Sequence, residues 1–192
     1  MPLNPLGYSD PRQPSARSLI GRRGLYADGY RTAGDRLVDS LSGGSIEASL
    51  IYPILYVYRH HLELKIKELT DLLIAVRPEL FGKDPATIED KSDALKDKHG
   101  LKALWNGLEG RYPKCSSWAS KEYAKAFRRL LIELDDHDPS SQAARYETDR
   151  RGNATLNRLR AIDPLALKRG IHMMSNYLGC VFEVIADEVC EP

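Results

Sequence analysis

Between residues 51 and 73 apolar side chains return every three or four positions. At ~100° per residue, Ile51, Leu55, Tyr58, Leu62, Ile66, Leu69 and Leu73 share one stripe, and Ile54, Val57, Leu64 and Leu72 form a sparser second one. A helix that is apolar on two sides is packed by neighbours on both, so this segment reads as the central helix of the core. It begins at about Ile46 or at Pro53, and the proline either kinks it or sits in its first turn. Arg77-Pro78 closes it after Val76.

Shorter helical patterns surround it. Tyr26, Tyr30, Ala33, Leu37 and Leu41 place one apolar face on a first helix over Leu25–Leu41, ended by Ser42-Gly43-Gly44-Ser45. The charged stretch 78–98 holds a short helix near Ile88–Leu95. A helix over Leu101–Glu109 follows, with Leu101, Leu104, Trp105 and Leu108 as its apolar face. Ser117–Asp135 reads as a helix burying Trp118, Tyr123, Phe127, Leu130, Leu131 and Leu134. Asp135 to Asn153 is polar and breaks the pattern, and a short helical piece lies around Leu156–Arg160. Asp163-Pro164, an N-cap and a first-turn proline, opens the last helix, with Leu167, Ile171, Met174, Leu178, Val181, Phe182, Ile185 and Val189 as its apolar residues. No segment keeps a β period. The pattern predicts an all-α, single-domain helical bundle over residues 23–192, preceded by an irregular basic arm over 1–22 that carries four prolines, Arg17 and Arg22.

Composition narrows the classes. The 192 residues are 42% apolar and 29% charged, which is ordinary for a globular chain. Net charge is +1, from 28 basic against 27 acidic residues, so no global field points to nucleic acid or an anionic membrane, and only a local patch remains open. The first ten residues lack the apolar stretch of a signal peptide, and the longest apolar run, Leu50–Tyr58, contains Pro53 and is too short to span a bilayer. Cys115, Cys180 and Cys190 form no CxxC pair, and reduced thiols in a cytoplasmic protein without membrane contact are expected.

The candidate chemistry centres on Arg59, His60, Glu63 and Lys67, which project from one sector of the central helix and continue towards Tyr56 and Tyr52. Arg59–Glu63 and Glu63–Lys67 are both i,i+4 pairs, so the group is either a solvated ladder of ion pairs or a sheltered polar site. A second stripe, His61, Lys65 and Glu68, competes for the solvent face. His99 precedes a helix and reads as its capping residue. Asp135-Asp136-His137-Asp138 reads as a solvated acidic corner, because neighbours on a helix end cannot all face one ion. His60 and Glu63 have the i,i+3 spacing of two metal ligands, but no second His/Glu pair completes a site, so no metal or cofactor is expected. In the polar connection, Arg145, Tyr146 and Asp149 either orient a ligand phosphate or pin the loop.

Taken in order, Tyr58-Arg59-His60-His61-Leu62-Glu63-Leu64, His99-Gly100-Leu101-Lys102-Ala103-Leu104-Trp105, and Asp138-Pro139-Ser140-Ser141 leading to Arg145-Tyr146-x-x-Asp149 resemble a group of bacterial proteins related to the HEPN superfamily (higher eukaryote and prokaryote nucleotide-binding domains). The resemblance covers roughly residues 25–190. It implies a helical bundle, commonly a homodimer, and for many members a metal-independent ribonuclease in toxin–antitoxin or phage-defence systems. Arginine there stabilises anionic charge and histidine moves protons. The implied partners are RNA or a nucleotide and a cognate antitoxin or defence protein. The implied catalytic residues are Arg59 and His60, and the implied binding residues are Glu63, Lys67, His99, Arg145, Tyr146 and Asp149. The sequence departs from the family's Arg-x(4–6)-His signature, since no histidine has an arginine at that distance upstream, and Glu147 stands where a proline would follow Tyr146. A non-catalytic module that binds RNA, a nucleotide or a protein is therefore the alternative.

Overall fold

A computed structural model describes residues 23–41, 49–111, 121–149, 151–156 and 162–190. The basic arm, the Ser42–Ser45 turn, Trp118 and residues 157–160 lie outside these. Among the described residues there are six α-helices: α1 (Arg23–Asp39), α2 (Ile51–Val76), α3 (Pro85–Lys96), α4 (Leu101–Leu108), α5 (Lys121–His137) and α6 (Pro164–Cys190). A 3₁₀ turn, Pro78–Leu80, follows α2, and the one extended pairing described is a single bridge between Thr148 and Ala154. One hydrophobic cluster takes residues from all six helices, and none of the described helices is long and apolar enough to cross a membrane.

Pro53 occupies the third position of α2. Its missing N–H would have had no acceptor within the helix, and the first full-turn bond runs from the Ile54 N–H to the Leu50 carbonyl at 3.0 Å, so the helix starts without a kink. Pro78 excludes helical backbone at Arg77 (φ −132°), and α2 stops there. Tyr58, Leu62, Ile66, Leu69 and Leu73 are essentially solvent-free, as the main stripe predicts, whereas of the second stripe only Ile54 is fully buried. α1 and α6 pack along α2, and α4 joins α2 to α5. Trp105, Phe127 and Tyr177 meet where α4, α5 and α6 converge, with ring centroids 4.6–6.0 Å apart. Tyr123 and Phe182, expected inside, stand partly in solvent.

The packed face of α1 differs from the expected one. Ala27, Gly34 and Val38 are buried, while Tyr26 is exposed and Tyr30 only half-buried. Smallness decides this. A Cβ on Gly34 would lie 2.5 Å from Cε1 of Tyr58, so the absent side chain is what admits that ring, whose hydroxyl donates to Asp35 at 2.8 Å. Gly34→Ala is therefore expected to cost about 1–3 kcal/mol in urea unfolding. Gly29, on the open side of the same helix with nothing near its Cβ position, is the control. There alanine is expected to be neutral or to stabilise by about 0.4–1 kcal/mol. Equal effects at both sites would show that the Gly34–Tyr58 contact does not set the packing.

Candidate functional site

The polar sector of α2 is divided by depth. Arg59 and Glu63 are 3% and 2% exposed, so they are not a solvated ladder. A guanidinium inside protein must find acceptors for its donors, and Arg59 finds them on three segments. Nε donates to the Asp138 carbonyl (2.8 Å), Nη1 to Glu63 Oε2 (3.1 Å) and Nη2 to the His99 carbonyl (2.6 Å). The carboxylates of Asp135 and Asp138 lie 3.8 and 3.9 Å away. Arg59, expected to act on substrate, has each of its three nitrogens bonded to protein. It is a clasp that ties α2 to the segment before α4 and to the loop after α5.

Of the acidic corner, Asp135 and Asp138 are likewise buried and structural, while Asp136 is exposed. Asp135 Oδ1 accepts the Leu101 N–H at 2.6 Å and so caps α4 from a different helix, the task expected of His99. Asp138 Oδ1 accepts from the N–H groups of Gln142 and Ala143 and shapes the loop that carries Arg145. Burial raises the Asp135 carboxyl, against the lowering effect of the Leu101 and Lys102 amides and of Arg59.

Relieved of capping, His99 points its ring at Glu63. Nδ1 lies 2.9 Å from Glu63 Oε1, and Lys67 Nζ donates to the same oxygen at 2.9 Å. Burial alone would raise the Glu63 carboxyl. The hydrogen bonds from His99 and Lys67, with the charges of Lys67 and Arg59, outweigh it and hold the group below its ordinary value. An ionised Glu63 only accepts, so the proton between them sits on Nδ1, and Nε2 is the ring nitrogen left for a further partner. The His99 side chain is 62% exposed, which makes it an oriented base within reach of solvent, and Lys67 is the adjacent cation.

His60 belongs to a different arrangement. Its ring lies between Tyr30 (centroids 4.5 Å, edge-on) and Tyr56 (5.7 Å, stacked). Tyr30 meets Tyr26 at 5.3 Å, and their hydroxyls are 3.1 Å apart. On the other side the Arg145 guanidinium lies 5.5 Å from the Tyr56 ring and 5.4 Å from Tyr146. The result is a ladder, Tyr26–Tyr30–His60–Tyr56–Arg145–Tyr146, built from α1, α2 and the loop. Desolvation lowers the His60 pKa. Glu63 opposes that, and Lys67, Arg59 and Arg145 add to it, so the ring is neutral at pH 7. The Tyr30 hydroxyl is pushed up to about 12, first by its bond with Tyr26 and then by burial.

No family model, curated protein or solved structure matches this chain.

The reading of this site therefore rests on its own geometry. Glu63, Lys67 and His99 come together around one carboxylate oxygen, with Arg59 beneath them. His60, Arg145 and Tyr146 join in the adjoining ladder. Asp149 stands apart: its carboxylate accepts from Arg151 N, Asn153 N and the Asn153 side chain and closes its own turn. Two grooves, of about 290 and 460 Å³, flank the loop, and neither includes His60, Lys67 or His99. Lys67 is partly exposed and His99 more so, and with the ladder they form a strip of solvent-reaching groups among the described residues. Tyr26 and Tyr30, read only as an apolar face, and Tyr56, read only as a continuation of the polar sector, join in one series of ring contacts with His60. The available signal was their spacing: Tyr26/Tyr30 and Tyr52/Tyr56/His60 repeat at i,i+4.

Proposed function

We propose that the protein is a HEPN-like, metal-independent ribonuclease in which His99, and not the Arg59–His60 pair, moves the proton. The observation that supports this reading is the exposed His99 imidazole held through Nδ1 by the buried Glu63 carboxylate. A carboxylate behind a histidine fixes its tautomer and orientation and stabilises the imidazolium that forms when the other nitrogen takes a proton. In the proposed step, His99 Nε2 accepts the proton of an RNA 2′-hydroxyl and the 2′-oxygen attacks the adjacent phosphorus. The bond to the 5′-oxygen breaks, leaving a 2′,3′-cyclic phosphate, and the imidazolium returns its proton to the departing oxygen. Lys67 supplies the positive charge opposite the phosphoryl oxygens that Arg59, bound to protein acceptors, does not. A toxin or phage-defence setting, with a homodimer and a cognate protein partner, follows from the resemblance alone.

A second reading, a non-catalytic RNA-binding module, is favoured by the inward commitment of Arg59. Purified protein is to be incubated in EDTA with a panel of single-stranded and hairpin RNAs beside His99→Ala, an exposed substitution that leaves the core intact. Cleavage leaving 2′,3′-cyclic phosphate ends and falling by about 100-fold or more in the variant is expected. Cleavage unchanged in His99→Ala removes that residue from the mechanism, and no cleavage by the folded parent favours the binding module.

A further inference from the structure

We propose that the aromatic ladder is a stacking subsite for the unpaired bases of single-stranded RNA, with Arg145 and Lys67 facing its phosphates. The inference rests on the RNA reading above but does not require cleavage. Three separate segments contribute to one unbroken series of ring and guanidinium contacts, yet its outer members are not there for the core. Tyr26 and Tyr146, at the two ends, are 57% and 56% exposed, and Tyr52, one turn before Tyr56, is 52% exposed. A tyrosine left more than half in water contributes little to packing, but it presents a rigid ring face at low conformational cost. The inner rungs hold the outer ones in place, through the Tyr26–Tyr30 hydroxyl contact at one end and the Arg145 guanidinium between two rings at the other.

The charges select the occupant. Arg145 is exposed and Lys67 partly so, which places two cations beside the rings although the chain as a whole is nearly neutral. The Arg145 guanidinium carbon lies over both rings, and an arginine held on aromatic faces has N–H groups to offer phosphate oxygens. Ring faces alternating with cations are what single-stranded nucleic acid requires, whereas a base-paired duplex keeps its ring faces stacked on one another. The direction of the strip fits as well. Tyr56, His60, Glu63 and Lys67 follow one another along α2 over about 16 Å, so a strand stacked on the ladder leads to Lys67 and the His99 ring beside it.

The test is anisotropy of a labelled 2′-O-methyl RNA, which lacks the attacking hydroxyl and so reports binding by the active protein. Tyr26→Ala and Tyr146→Ala, both at exposed positions, are each expected to weaken binding by about 5- to 100-fold. Tyr146→Phe, which keeps the ring and its contact with Arg145, should bind as the parent does. Arg145→Ala is expected to lower the slope of log affinity against log salt by about one phosphate contact. A duplex of the same sequence should compete at least about tenfold more weakly. Unchanged affinity in both alanine variants, equal competition by the duplex, or no binding by the parent overturns the subsite. If the alanine variants bind as the parent does while the parent cleaves RNA, the ladder fails and the nuclease stands. If they lose binding while the parent cleaves nothing, the nuclease fails and the ladder stands.

Discussion

Replacing Arg59 with methionine is expected to destabilise the protein by about 3–5 kcal/mol, the range for removing one partner from a buried ion pair. The methionine refills the hydrocarbon volume but supplies no donor. Glu63 keeps Lys67 and His99, whereas the carbonyls of Asp138 and His99 lose their bonds to the guanidinium and the buried carboxylates of Asp135 and Asp138 lose their nearest cation. Each such loss adds a desolvation cost with nothing to offset it. Arg59→Lys should recover only part of the stability, because one ammonium cannot reach acceptors on three segments at once. Urea unfolding measures this as a fall in midpoint at constant slope. A loss below about 1 kcal/mol would mean that the three segments hold together without the clasp. The prediction also shows why an inactive Arg59 variant would say little about chemistry. Arg59 carries the backbone of His99 and of Asp138, so its removal disturbs the proposed general base and the loop of Arg145 together.

Acidification from pH 6.5 to pH 4 is expected to cost on the order of 3 kcal/mol through His61 alone. His61 is fully buried between α1, α2 and α6, with Nδ1 2.9 Å from the Ala27 carbonyl and Nε2 3.0 Å from Ser175 Oγ. The neutral ring satisfies both, donating from Nδ1 and accepting from the serine hydroxyl. Burial lowers its pKa from 6.5 to about 4, and the Ala27 carbonyl only partly opposes this. Above pH 6.5 the ring is neutral in the folded and unfolded chains, and its contribution is complete. As the pH falls below 6.5 the unfolded chain takes up a proton that the folded chain refuses, so stability is lost until about pH 4, below which both are protonated. His60, also lowered by desolvation, titrates in the same sense. The lowered carboxyls of Glu63 and Asp35 add their losses further into acid. The check is unfolding free energy at half-unit steps from pH 7 to pH 5 for the parent and His61→Gln. The parent should lose stability more steeply, and parallel curves would remove His61 as the cause.

The two predictions concern neighbouring positions on α2, and their contrast shows what was legible in the chain. Arg59 and His61 belong to two rival polar stripes, of which the pattern predicts that one is sheltered. Both are buried instead, and by different means. His61 is small and neutral enough to be enclosed by one carbonyl and one hydroxyl. Arg59 needs acceptors from residues 40 and 79 positions away.

By itself the sequence determined the helices and their punctuation. Pro78 at a helix end, Asp163-Pro164 before α6 and the periodic apolar residues of α2 and α4 act through backbone geometry and spacing within a few residues, and such local effects are written in the order of the chain, whereas the place of Pro53, in a kink or in the first turn, was left to the fold. Grouping Arg59, Glu63 and Lys67 on one sector was equally local. Tertiary structure decided what each sector meets. Gly34, for lack of a side chain, turned α1 so that Ala27 and Val38 went inward and Tyr26 stayed out. Asp135, from α5, took over the capping of α4 and left His99 to Glu63. The loop shaped by Asp138 brought Arg145 onto Tyr56. A helical period gives the direction in which a side chain leaves its axis. Whether that direction ends in solvent, in a buried ion pair or against another ring depends on segments that only folding brings near.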